Sequence, residues 1–344
     1  MRARRLAAVV LAASLALASC SADAATTDAS PSPAAPVAAA TPTPEPTTAS
    51  AHPTPTPTDE DTAMTAAPRF FHAPSQADSV LAQLESDGRD ADAALVRRIA
   101  EQPVATWLGE WTQDLTGTVA RITGDAAAAG EVALLVVYAI PGRDCGLHSA
   151  GGVAEDQYLG FVGQVAAGIA AGSETWVVLE PDALAQMGDC DGQGDRAGLL
   201  AGAARVLAEA GADVFLDAGH SGWRSGSDVV ARLEQVGTDH LAGFSTNTSN
   251  YQTTEDERGW AEPIAAATGL DFIVDTSRNG NGSNGEWCNP SGRAIGEPPR
   301  MIGEGAFRAV AWVKAPGESD GTCNGGPAAG QWWMDGALAL AGDA

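Results

Sequence analysis

The sequence is short of positive charge. Only 19 lysine and arginine residues stand against 44 aspartate and glutamate, a formal net charge of -25. Such a surface repels phosphate backbones and anionic membranes, which sets nucleic acid aside as a partner. It says little about a neutral ligand, and most of the acidity reads as a solvated surface. Cysteine is scarce too, 5 in 344 residues, and none falls in a CxxC pair. No histidines share metal-ligand spacing, so neither a metal site nor a cofactor is expected. No glycine-rich phosphate loop follows the first strand-like run, and no GxSxG elbow occurs.

At the N-terminus, Arg2, Arg4 and Arg5 precede an apolar run from Leu6 to Leu17, too short for a stop-transfer helix. Residues 1–24 read as a signal peptide. Its LASC end, Leu17 to Cys20, resembles a bacterial lipoprotein signal, which would anchor the protein through Cys20 to the outer face of the membrane. Ordinary cleavage after ADA, Ala22 to Ala24, is the competing reading. Residues 25–67 are Ala, Thr, Pro and Ser, and half of the 20 prolines lie between Pro31 and Pro68. Such a segment buries no core and reads as an extended linker. Either cleavage leaves four cysteines, Cys145, Cys190, Cys288 and Cys323. An even number in an exported chain points to two disulfides, with three connectivities open.

Residues 68–344 have globular composition. Short apolar runs near 105–108, 133–140, 176–179, 213–216, 242–245, 271–274 and 309–313 alternate with Ala-rich helical stretches, among them 156–171, 195–209, 227–234 and 255–268. Strands alternating with helices call for a parallel sheet with crossover helices. The runs are apolar throughout, as strands covered on both faces must be. Seven such units suit an α/β fold closed or nearly closed as a parallel (β/α) barrel, in one domain; an open doubly wound sheet is the runner-up. No heptad or obvious pairing edge suggests anything but a monomer.

Polar residues follow each strand. The ends read PGRDCG with Asp144, EPD with Asp182, LDAGHSGW with Asp217 and His220, STNTSNY with Asn247 and Asn250, VDTSRNGNG with Asp275 and Arg278, and VKAPGESDG with Lys314, Glu318 and Asp320. One aspartate after a strand is most often a helix cap or turn residue. Carboxylates or amides after five successive strands imply instead a ring around a cleft at the end of the barrel where chemistry is usually placed. Trp107, Trp223 and Trp287 lie at or just past strand ends. Flat indole faces beside carboxylates and amides suit a sugar, whose axial C–H groups stack while its hydroxyls take polar partners. The chemistry that remains is carboxylate acid–base work on a carbohydrate.

Taken in order, VVYAIPGRDCG, LEPDAL, LDAGHSGW, TNTSNY, DTSRNGNG…EWCNPSGRAIG and VKAPGESDG resemble glycoside hydrolase family 6, a family of endo-β-1,4-glucanases and cellobiohydrolases. The resemblance runs from about Phe70 to the C-terminus and implies a distorted seven-stranded α/β barrel. It implies that Asp182 is the general acid, that Asp144 raises its pKa and orders water, and that Asp320 is the base or charge stabiliser. Tyr138 would lie beneath the distorted sugar, and Asp217 would be a further cleft aspartate. Lys314 and Glu318 would bind hydroxyls, as would His220 and Asn247 from their strand-end places. Trp107, Trp223 and Trp287 would be stacking platforms, and Ser149 would sit on a mobile flap. The disulfides would be Cys145–Cys190 and Cys288–Cys323. The family inverts the anomeric centre, for which carboxyls stand about 6.5–9.5 Å apart, the spacing expected of Asp182 and Asp320. Only GTCNGGPAAGQWW separates Asp320 from the last helix, so the cleft should be open and the enzyme an endoglucanase acting on cellulose or a soluble β-glucan. A surface-tethered glucan-binding protein, a cellobiohydrolase, and a hydrolase of another β-linked polysaccharide are the alternatives.

Overall fold

A computed structural model describes residues 69–342. The signal peptide, Cys20 and the whole of the linker lie outside the described residues. Eight helices are present among those described: α1 (Gln76–Ser86), α2 (Asp90–Ala100), α3 (Leu115–Ala129), α4 (Glu155–Gly168), α5 (Arg196–Glu209), α6 (Gly226–Val236), α7 (Thr254–Thr268) and α8 (Met334–Gly342). The strands are β1 (Thr106–Leu108), β2 (Ala133–Val137), β3 (Thr175–Leu179), β4 (Ala212–Asp217), β5 (Gly243–Thr246), β6 (Asp271–Asp275), β7 (Arg300–Glu304) and β8 (Phe307–Ala311). They form one curled sheet in the order β1-β2-β3-β4-β5-β6-β8-β7. Every pairing is parallel except β7 with β8.

The seven parallel strands are the seven apolar runs of the sequence, and the α/β barrel reading holds. The eighth strand, β7, is an addition. Its residues RMIGE are mostly exposed, and it pairs on one edge only, so it carries no apolar run that would betray it. The ring is drawn almost shut between β1 and the end of β8. There Ala105 N donates to Trp312 O at 3.0 Å, and the Trp107 indole N–H donates to Val313 O at 2.8 Å.

Strand periodicity divides the core in two. Leu134, Val136, Trp176, Val178, Phe215, Ile273, Ala309 and Ala311 point inward and fill the barrel. Their neighbours, including Leu135, Val137, Val177, Leu179, Phe244, Phe272 and Val310, point outward under the helices. Both sets are apolar because both faces are covered. At the N-terminal end of the strands the Arg308 guanidinium lies 4.8 Å from the centroid of Trp176 and pairs with Asp213 and Asp271, each at 3.2 Å. At the other end the filling finishes in Trp107 and Tyr138, packed edge to face at 5.1 Å.

Helix caps settle a question about the strand-end aspartates. The side-chain caps come from Ser75, Asp114, Asp195, Ser225 and Thr253. None of Asp144, Asp182, Asp217, Asp275 and Asp320 caps an α-helix, so capping does not account for them.

Close approach of β5 to β4 and β6 depends on one missing side chain. A Cβ on Gly243 would fall 2.5 Å from Asp271 O and 2.8 Å from the Phe215 ring. Gly243→Ala should therefore lower the unfolding free energy by about 1–3 kcal/mol, read from urea denaturation. An unchanged midpoint would show that the sheet opens there without strain.

Candidate active site

Strand β3 ends at Leu179, and the chain then takes an unusual path. Glu180 has φ 49° and Asp182 φ 71°, so left-handed residues flank Pro181. Neither is glycine, and such conformers persist only where the surroundings enforce them. Here they do. The buried Glu180 carboxylate accepts from Ala139 N at 3.0 Å and Ile140 N at 3.1 Å, while Glu180 N donates to Val137 O. Asp182 N donates to Asp217 Oδ1 at 3.0 Å, and Ala183 N returns to Glu180 O. Both carboxylates behind the turn are thus spent on backbone, which leaves the Asp182 side chain facing a cavity.

That cavity has a volume of about 1070 Å³ and is lined by Asp144, Asp182 and Asp320 together. Asp144 (φ 55°) and Cys145 (φ 47°) make a second left-handed turn after β2. Asp144 accepts Ser149 N at 2.7 Å, and Gln186 lines the cavity with it. Next to it, the buried Arg143 guanidinium donates to Glu110, to Tyr138 O at 2.7 Å and to Ser149 O at 2.8 Å. The 147–152 loop, Tyr138 and the turn after β1 are therefore tied through one side chain. Asp320 is held differently. Both its oxygens lie 2.9 Å from Arg278 Nη1, and Oδ2 also accepts from Tyr251 Oη and Asn289 N. The disulfides Cys145–Cys190 and Cys288–Cys323 are both formed, one beside Asp144 and one beside Asp320.

Burial governs the protonation of this cluster. The Asp182 carboxyl is pushed well above the usual carboxylate range, first by burial, then by the charges of Asp217, Asp144 and Asp320. The sequence reading credited Asp144 with this effect. Burial comes first because the nearest groups offer Asp182 no cation and its own backbone, not its carboxylate, takes the hydrogen bond to Asp217. Burial also raises Asp144, and it pushes Asp217 up to about 6. His220 is pushed down to about 4 by burial, so its ring is neutral near neutral pH. Gly222 N donates to its Nδ1 at 3.2 Å, which places the proton on Nε2, free to face the cavity.

Most of the expected ligands line the cavity, namely Trp107, Tyr138, Ser149, His220, Trp223, Trp287, Lys314 and Glu318. Lys314 Nζ lies 3.8 Å from Glu318 and is the only lysine of the chain. Trp287 is 49% exposed, and its ring lies 5.7 Å from His148. Two residues fall elsewhere. Asn247 is fully buried, with Nδ2 donating to Gln252 O and Asp275 O and Oδ1 accepting Gln252 N. It shapes the loop after β5 instead of facing the groove, and Asn250 lines it instead. Asp217 is fully buried as well, accepting from Asp182 N, Gly219 N and Ser245 Oγ, so it stands behind the acid and not in the cleft. Tyr251 and Asn289 carry no local signal in the sequence, since each acts on a carboxylate far from it in the chain. Arg143 was legible only as the neighbour of Asp144.

The sequence and the fold both have known relatives. The family described as glycosyl hydrolases family 6 matches residues 65–344. Endoglucanase A of Cellulomonas fimi is 55% identical over 257 residues, covering 74% of this chain and 57% of that protein. Endoglucanase 1 of Streptomyces sp. (strain KSM-9) is 42% identical over 279 residues, 77% of each chain. This chain thus spans little more than half of the Cellulomonas relative and about three quarters of the Streptomyces one. Among solved structures, the endoglucanase Cel6 from Mycobacterium tuberculosis, in complex with methyl-cellobiosyl-4-deoxy-4-thio-β-D-cellobioside, superposes with a TM-score of 0.74 at 40% identity. That likeness covers 81% of this chain and 98% of the other.

Glu180 makes the site's proton economy measurable. Its carboxyl is pushed from 4.5 to about 7, chiefly by burial, against the hydrogen bonds it accepts. A folded pKa above the unfolded one gives stabilisation that is complete below 4.5 and lost as pH rises through about 7. Glu180→Gln should flatten the decline of unfolding free energy across this window by of order 3 kcal/mol. Urea titrations at stepped pH would read it, and an unaltered slope would assign the proton elsewhere.

Proposed function

The chain belongs to glycosyl hydrolases family 6, and from that membership we propose that it is an endo-β-1,4-glucanase, cleaving internal bonds of cellulose or a soluble β-glucan with inversion at the anomeric carbon. The observation that carries the reading is the placement of Asp182, whose surroundings favour its protonated form. One half-buried carboxyl, held well above the usual carboxylate range, faces a groove that it shares with an ion-paired aspartate and a third carboxyl. That asymmetry is what acid-assisted glycoside cleavage requires.

In the reaction, Asp182 gives its proton to the glycosidic oxygen as the C–O bond breaks, and a water attacks the anomeric carbon from the opposite face. The water's proton leaves toward carboxylate, restoring the balance when Asp182 is reprotonated. Asp320 is poorly suited to take that proton. Arg278, Tyr251 and Asn289 N already occupy its oxygens, which leaves little room for a proton-giving water. We assign Asp320 to stabilising positive charge on the sugar ring, and Asp144 to holding and deprotonating the water. The wide carboxyl spacing of an inverting pair is part of the same proposal. Tyr138 and Trp107 would floor the cleavage point, Trp223 and Trp287 would stack sugar rings, and Lys314, Glu318 and His220 would bind hydroxyls.

Two disulfides support folding in an oxidising compartment, hence export. Lipidation at Cys20 and a monomeric state complete the proposal. Asp182→Ala should lose roughly 10²–10⁴-fold of the rate on carboxymethylcellulose or barley β-glucan. Anomeric NMR should show the α-product first. A β-product would overturn inversion. A wild-type protein that binds glucan yet is no more active than Asp182→Ala would be a tethered binding protein.

A further inference from the structure

Trp111 lines the same groove and has no part in the reading above. It is 52% exposed. Single exposed apolar side chains are common on soluble proteins and mean nothing alone. This one is built in. A Cβ on Gly109 would fall 2.3 Å from two atoms of the indole, so the ring lies directly on the backbone of its own turn. The Arg143 guanidinium carbon stands 5.1 Å from the ring centroid. That guanidinium is itself immobile, held by Glu110 through two hydrogen bonds of 2.8 and 3.0 Å and by the carbonyls of Tyr138 and Ser149.

Arg143 also lies 4.6 Å from the centroid of Tyr138. Trp107, Tyr138, Arg143 and Trp111 therefore form a continuous wall, and Trp111 stands one guanidinium beyond the groove floor. Its exposed surface is apolar, and the contacts with Gly109 and Arg143 fix its position in advance. Fixing a side chain before binding removes an ordering cost that a mobile indole would have to meet. A flat indole with half its surface in water gains most from a partner that is flat, apolar on its face and polar at its edge.

We propose that Trp111 is a further binding platform for a neutral pyranosyl ring, one step along the glucan from the unit that lies over Tyr138. The inference rests on the glucanase reading for the identity of the sugar, though not for the existence of the platform. Because the stack contacts sugar before and during bond cleavage alike, it contributes to binding far more than to the chemical step. It also gives Arg143, which lies against both rings, a part in supporting two neighbouring sugar positions.

The test uses the full-length protein and cellohexaose. Trp111→Leu keeps an apolar side chain against Gly109 and Arg143 but removes the flat face. It should raise KM for cellohexaose roughly five- to twentyfold, with kcat much less affected, and Trp111→Phe should restore most of the loss. Calorimetric titration of cellohexaose into Asp182→Asn, with and without Trp111→Leu, should show the same fold-loss of affinity. That arm reads the platform even if the wild type cleaves nothing, so failure of the glucanase reading and failure of this one remain separate. The proposal is overturned if the affinity is unchanged. It is equally overturned if kcat falls while KM holds, or if the thermal midpoint and the rate collapse together and Phe does not rescue them, because Trp111 would then be only a brace for Arg143.

Discussion

Everything at the catalytic end of this barrel depends on holding carboxyl groups out of water with too few cations to neutralise them. Asp144, Glu180, Asp182 and Asp217 lie close together, and burial is the largest influence on each. Charging all four at once would be costly in such a setting. The structure answers with backbone amides for Glu180 and Asp217, one loop amide for Asp144, and surroundings that favour the protonated form of Asp182. Asp320 alone receives a buried guanidinium. The division of labour between acid and charged partner follows from that unequal supply.

The backbone is shaped to the same end. Non-glycine residues with left-handed φ among the described residues are Asp144, Cys145, Glu180, Asp182, Asn247, Ser249, Asn289 and Asn324. All of them lie in loops at the C-terminal ends of the parallel strands. Strain of this kind survives where surrounding contacts enforce it, and it gathers at functional sites. The enforcing contacts are visible: Glu180 on the loop after β2, Asp275 accepting from Ser249, Ser277, Val313 and Lys314 amides, Asn289 bonded to Asp320, and two disulfides. The Cys145–Cys190 bond joins the loops after β2 and β3, and Cys288–Cys323 joins those after β6 and β8. Each adjoins a carboxylate that must not drift.

How far a residue could be read from the chain depended on whether its role was local. Strands β1 to β6 and β8 are buried on two faces, so each announces itself as an apolar run. Strand β7 pairs on one edge and lies largely in water, and nothing in RMIGE marks it. Asp182 could be singled out because proline between two acids is a poor way to continue a strand. Asn247 and Asp217 looked the same as true cleft residues. Both follow strands and both are polar, and the sequence holds no record of which backbone amides would consume them. Tyr251 and Asn289 escaped for the converse reason, since their partner Asp320 lies 69 and 31 positions away.

Composition and order alone determined the seven-strand α/β plan, the ring of polar strand ends and the family, because apolar periodicity and short motifs are properties of neighbouring residues. Tertiary structure decided which carboxyls keep a proton, which are spent on amides, and which aromatic faces stay open to the groove. Those outcomes turn on burial and on contacts between loops that meet only when the sheet curls, and no stretch of chain contains them by itself.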